Sequence, residues 1–271
     1  MLAPIRSTVT LPNGLTLSYA EQGDRSGPAL ALLPGPTDSW VSYEPVLEAI
    51  TLSIRTVAVS QRGHGDSDKP MTGFRVEDYA ADVPLLLDAL GIERAVLAGH
   101  SGSCLVARRV AIDRPERIVG LVLEASPTTL RGHAGLEAFV ASVVSGLEDP
   151  IDAAVARSIV VDTSTERVAP GMVDRLAAEV LKAPARVWRE MFADLLTYDD
   201  VEDLGRITAP TLLIWGSADG LLPRAMQDQL LSRVAGAELL VYQGVGHTPR
   251  WEDASRFAAD VAAFVERSVP A

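Results

Sequence analysis

Short apolar runs alternate with segments whose apolar residues recur at helical spacing through the first half of the chain. Residues 15–19, 29–33, 54–59, 95–98 and 118–123 read as strands. Residues 40–50, 83–90 and 105–112 read as helices, with Pro84 expected in a first turn and Gly91 as a helix stop. The strands are continuously apolar, which implies burial on both faces and a parallel sheet covered by helices. From 127 to 206 the rhythm changes and no strand pattern occurs. Residues 136–147, 151–161, 172–181 and 187–196 read as helices, with breaks at Asp149-Pro150, Pro170-Gly171 and Pro184. After Pro210 the alternation returns, with strands at 211–215 and 238–242 and helices at 224–234 and 255–265. The expected organisation is an α/β core formed by 1–126 and 207–271, interrupted by an all-helical segment at 127–206. In open α/β sheets the ligand crevice lies at the strand C-termini, so such an insertion would sit over it as a lid.

The sharpest chemical signal is Gly99-His100-Ser101-Gly102-Ser103, between a predicted strand and a predicted helix. A sharp strand-to-helix turn lifts its central side chain out of the sheet, and the helix N-terminus beneath supports developing negative charge. Ser101 is the candidate nucleophile, although Ser103 stands where the pattern asks for glycine. A serine hydroxyl needs a base. The chain has four histidines. His100 is expected to point away from the cleft, His64 to pack its own loop, and His133 to open the helical segment. His247 follows the last strand in a Gly-rich loop and is the expected base. Asp219, after the penultimate strand, is the expected acid, with Glu124 at the tip of the strand before the insertion as rival.

Composition narrows the functional classes. A net charge of −12 disfavours nucleic acid and anionic membrane surfaces as partners. No apolar run approaches the ~20 residues of a spanning helix. Residues 1–10 show no secretory pattern, so the expected location is cytoplasmic. One cysteine, Cys104, excludes an internal disulfide; no metal-ligand spacing and no nucleotide fingerprint are found, so neither metal nor cofactor is expected.

Several motifs in order resemble the α/β-hydrolase superfamily over nearly the whole length. They are Leu32-Leu33-Pro34-Gly35 at the oxyanion turn, Arg62-Gly63-His64-Gly65, the Gly99 to Ser103 elbow, Trp215 to Asp219, and Gly246-His247. The resemblance implies a mostly parallel eight-stranded sheet with helices on both faces, and makes 127–206 the cap. It also implies an oxyanion hole from the Gly102 N–H and the turn at Gly35, Pro36 and Thr37. Pro36 stands where the family commonly donates an N–H, and proline has none. Either Gly35 or Thr37 donates instead, or the hole relies on Gly102 and a side chain. Dehalogenases and epoxide hydrolases of this superfamily use aspartate at the elbow. Ser101 therefore points to acyl transfer.

In the insertion, Trp188 and Phe192 share a helix face, and with Met191 and Phe139 they either pack it onto the core or roof an apolar pocket. Val187-Trp188 also resembles the fungal zearalenone lactonases, whose acid near the pre-cap strand would correspond to Glu124. The expected activity is cofactor-independent hydrolysis of a small apolar carboxylic ester or lactone through an acyl-enzyme. A carbon–carbon hydrolase using the same triad and a low-turnover binding protein or receptor are the alternatives. A homodimer is left open.

Overall fold

A computed structural model describes residues 4–269. The leader expectation for 1–10 therefore includes positions 1–3, which lie outside the described residues. The strands are β1 (Ile5–Thr10), β2 (Thr16–Gln22), β3 (Ala29–Leu33), β4 (Arg55–Val59), β5 (Ala95–His100), β6 (Ile118–Glu124), β7 (Thr211–Gly216) and β8 (Glu238–Tyr242). They form one eight-stranded sheet in the order β1-β2-β4-β3-β5-β6-β7-β8. β2 is antiparallel to both β1 and β4, and all other pairings are parallel.

The core helices are α1 (Glu44–Ala49), α2 (Val76–Ala89) and α3 (Ser103–Asp113). Four helices separate β6 from β7: α4 (Ala134–Ser142), α5 (Ala153–Asp162), α6 (Pro170–Val180) and α7 (Ala185–Leu195). α8 (Arg224–Arg233), α9 (Pro249–Glu252) and α10 (Ala254–Ser268) complete the chain. Among the described residues no helix is long and apolar enough to cross a membrane.

Each central strand buries both faces. Leu30 and Leu32 of β3 pack with Tyr43, Val46, Phe257 and Phe264 on one side. Ala31 and Leu33 pack with the α2–α3 side. This alternation explains why the strands read as unbroken apolar runs.

Three expectations are corrected. α2 starts at Val76, so Pro84 lies inside the helix rather than in its first turn. An interior proline costs ~3 kcal/mol. Burying Val76, Tyr79, Val83, Leu86 and Leu87 gains ~1.5–3 kcal/mol for each full-sized side chain, which outweighs it. The Arg75 N–H donated to Asp78 (3.0 Å) further fixes the early start. Second, β1, where no strand is expected from the sequence, is an exposed edge strand paired only with β2, and its side chains therefore form no apolar run. Third, the segments at 40–50 and 136–147 are each broken into a 3₁₀ turn and an α-helix.

Candidate active site

Ser101 lies between β5 and α3 at φ +52°, a left-handed conformation that costs a non-glycine residue ~1–3 kcal/mol. The turn is tight. A Cβ at Gly99 would stand 2.6 Å from the Ser103 carbonyl oxygen. Ser103, the departure from the glycine pattern, uses its side chain: Oγ donates to the Pro34 carbonyl (2.6 Å) and accepts from Gln61 Nε2 (2.9 Å). It thereby ties the elbow to the base of the Gly35–Asp38 turn.

The loops after β7 and β8 bring the other two groups to Ser101. His247 Nε2 is 3.0 Å from Ser101 Oγ, and His247 Nδ1 is 2.9 Å from Asp219 Oδ2. The second carboxylate oxygen of Asp219 accepts the N–H groups of Leu221 (2.9 Å) and Leu222 (3.0 Å). Since a carboxylate only accepts, Nδ1 carries the proton and Nε2 is free to accept the serine hydroxyl. The two loops touch directly: Ala218 N–H donates to the Val245 carbonyl (2.9 Å), and a Cβ at Gly216 would overlap the Val245 and Gly246 carbonyls. Glu252 accepts the Gly246 N–H (3.0 Å) and bonds Thr165 of the helical insertion.

Glu124 is turned to a different partner. It accepts the Arg250 backbone N–H (2.9 Å) and faces the guanidinium at 3.5 Å. Arg250 is fully buried, donates to Asp38 (2.7 Å) and Ser42 (2.9 Å), and stacks near the rings of Trp251 and Tyr43. Burial raises the Glu124 and Asp38 carboxyls above their ordinary range, and the Arg250 charge opposes that rise.

The turn expected to supply the oxyanion hole is Gly35-Pro36-Thr37-Asp38, closed by the Asp38 N–H on the Gly35 carbonyl (3.1 Å). Proline second and a positive φ third are the signature of a type II turn. Here the third residue is Thr37 at φ +71°, which is strained for a β-branched side chain. The Pro36 ring packs on Gly102, where a Cβ would stand 2.8 Å from Pro36 Cγ. Among the described residues no acceptor takes the N–H of Thr37 or of Gly102, and Thr37 Oγ1 is buried without a partner.

A cavity of about 410 Å³ opens over Ser101, lined by Thr37, Phe139, Ile159, Phe192, Leu195 and Trp251 among others. This is within the ~300–1,000 Å³ of small-molecule sites. Three expectations fail here. Trp188 is fully buried and Met191 faces elsewhere; neither lines this cavity. α7 is apolar over a broad face, and Trp188 sits one turn (~5.4 Å) back from Phe192, inside the core. His100 does not point away. Strand alternation puts it on the face of Ala98, and beyond the last helical cover that face meets the turn and the histidine loop. Its Nε2 donates to the His247 carbonyl (3.0 Å), its ring lies 4.9 Å from that of His247, and burial keeps it neutral.

His64 is packed in its own loop, with Nδ1 2.8 Å from the Arg62 carbonyl. His133 caps α4, accepting the Leu136 N–H (3.1 Å), and reaches the Leu221 carbonyl (3.2 Å). The site residues that the sequence concealed are Asp38 and Arg250. They are 212 positions apart, and no local pattern announces a charge pair at that separation.

The family model for the α/β hydrolase fold matches residues 28–254. A non-heme chloroperoxidase of Streptomyces lividans is 29% identical over 96% of this chain and 99% of its own length. A hydrolase structure from Pseudomonas aeruginosa is 27% identical, with a TM-score of 0.83 over 96% of this chain and 98% of that one. The enol-lactonase of Burkholderia xenovorans, 21% identical with a TM-score of 0.83 over 96% of this chain and all of its own, shares the fold. With a family match across most of its length and a sheet of the matching topology, the chain belongs to the α/β hydrolase fold family.

Proposed function

We propose that the protein is a serine hydrolase of small apolar carboxylic esters or lactones, working through an acyl-enzyme. The observation that carries this reading is the unbroken relay Ser101–His247–Asp219, at 3.0 and 2.9 Å, beneath an apolar cavity of about 410 Å³. Ser101 Oγ attacks the substrate carbonyl while His247 Nε2 takes its proton. Asp219 holds the ring in the required tautomer and stabilises the imidazolium. The proton then passes to the leaving alcohol, and a water activated by His247 releases the acid.

The negative oxygen of the tetrahedral intermediate is stabilised by the N–H groups of Gly102 and Thr37; these, like the Gly35 N–H, have no other acceptor among the described residues. Pro36 supplies no donor. It sets the corner that presents Thr37. Each such donor contributes about 3–4 kcal/mol to the transition state. The helices at 127–206 act as a cap whose inner side, with Phe139 and Phe192, holds the apolar acyl or alkyl portion. The named activities of the relatives differ from one another, so the substrate class rests on the cavity and the elbow serine.

The test is hydrolysis of nitrophenyl esters of increasing chain length, with aliphatic and macrocyclic lactones, by the wild type and by Ser101→Ala. The wild type should turn over apolar members. The variant should fold normally and lose activity by a factor on the order of 10⁶ in kcat. An unchanged rate in Ser101→Ala removes Ser101 from the mechanism; no turnover of any member favours a binding protein.

A further inference from the structure

Behind the oxyanion turn lies a second, much smaller cavity, of about 20 Å³, lined by Pro36, Gln61, His64, Tyr79, Gly102 and Ser103 among others. Pro36 and Gly102 also border the large cavity over Ser101, so the turn separates the two. Three buried polar atoms of the residues around it have no protein partner: Gln61 Oε1, His64 Nε2 and the Tyr79 hydroxyl.

Their hydrogen-bonding roles are fixed by their other contacts. His64 Nδ1 lies 2.8 Å from the Arg62 carbonyl, which can only accept, so Nδ1 carries the proton and Nε2 presents a lone pair. Burial lowers the His64 pKa to about 4, so the ring is neutral near pH 7. Gln61 Nε2 donates to the Pro34 carbonyl (3.1 Å) and to Ser103 Oγ (2.9 Å), which sets the amide orientation and leaves Oε1 as an acceptor. Burial raises the Tyr79 pKa, so its hydroxyl keeps its proton and can donate. The His64 and Tyr79 rings are 6.0 Å apart and make no direct hydrogen bond.

Two acceptors and one donor, carried by residues that line one small volume, are the complement of a single water, which gives two hydrogens and takes one. A polar cavity holds a water once it offers about 10–15 Å³ and two to four partners. We propose that this cavity is a binding site for one resident water, held by Gln61, His64 and Tyr79, and that this water positions the oxyanion turn. The coupling runs through Gln61. The water restrains its amide from one side. From the other side the amide, together with Ser103 Oγ, grips the Pro34 carbonyl at the base of the turn. Gln61, His64 and Tyr79 are thus positioning residues, remote from the reacting atoms, and their effect on rate rests on the proposed ester hydrolysis.

The experiment has two arms. High-resolution diffraction from the full chain should show a density peak about 2.7–3.2 Å from all three atoms. A cavity without density, or a peak that bonds none of them, overturns the water site. In the second arm Tyr79→Phe removes the donor with little change of shape. It should lower kcat several-fold with KM nearly unchanged, and weaken a trifluoromethyl ketone inhibitor by the same factor. Unchanged kcat and inhibitor affinity overturn the positioning role. The pair His64→Gln and His64→Leu repeats the test independently of the Tyr79 variant. Glutamine keeps an acceptor and should retain activity, whereas leucine should not; equal activities overturn the role. A wild type inert toward every ester counts against the proposed function, while the density peak still decides the water.

Discussion

β6 and β7 are neighbouring parallel strands, and a carboxylate stands at or just beyond the C-terminal end of each. Glu124, at the end of β6, is buried against the Arg250 guanidinium and backbone N–H. Asp219, three residues past β7, is braced by two backbone N–H groups and faces the His247 ring. The difference teaches that the neighbouring partner, more than place in the sheet, decides what an acid at a strand end does. A full positive charge neutralises Glu124 and locks it into the frame. Asp219 meets backbone N–H dipoles and the His247 imidazole, so in the proposed mechanism its charge is available when that ring takes a proton.

The largest expected effect comes from removing the charge that faces the ring. Asp219→Asn should keep the fold and lower kcat by about 10⁴-fold, because the amide favours the wrong imidazole tautomer. Steady-state kinetics beside Glu124→Gln makes the comparison direct: the Glu124 variant should lose far less activity than stability. If the two variants lost kcat equally, the division of roles would be wrong.

Next in size is the loss of the buried cation. Arg250→Met leaves Asp38 and Glu124 buried without their counter-charge, which should cost about 3–5 kcal/mol in a denaturant titration. That penalty should depend on pH with a definite sign. Burial already raises both carboxyls, and without Arg250 they rise further in the folded state. A raised folded pKa gives stability that is complete below the unfolded value, about 4, and is lost as pH rises through the folded value. The deficit of Arg250→Met should therefore grow with pH over the interval above about pH 4. A deficit that shrank over that interval would contradict the assignment.

The smallest effect sharpens the picture from outside both carboxylates. Phe139→Ala, in the wall of the large cavity, should leave short esters nearly untouched. It should reduce the preference for long over short chains by about 1–3 kcal/mol in relative kcat/KM. A uniform loss for all chain lengths would place Phe139 in the frame rather than in the pocket.

Much of this molecule was legible in advance where the local physics is strong. β3 and β8 match the apolar runs end to end, and Gly91 takes the left-handed φ of +66° that ends a helix. The approach of Ser101, Asp219 and His247 followed from chain order and strand ends, because a parallel sheet collects the loops after its strands at one edge. What escaped was set by partners distant in sequence. β1 holds its place through a ladder with β2 and not through burial of its own side chains. The tie of Asp38 to Arg250 closes only in the folded chain, and the inward turn of His100 depends on the loop that His247 carries. The pocket face of α7 was likewise undecidable from spacing, since Trp188 and Phe192 differ by one turn in depth and not in direction.

The most direct measurement is intact-mass and peptide mapping after treatment with a fluorophosphonate and, separately, with a slowly released aryl ester. The mechanism predicts one stoichiometric phosphonyl adduct on Ser101, and a transient acyl adduct on the same residue. Neither should form in Ser101→Ala. Turnover of the ester by a protein that carries no adduct at Ser101 would contradict it.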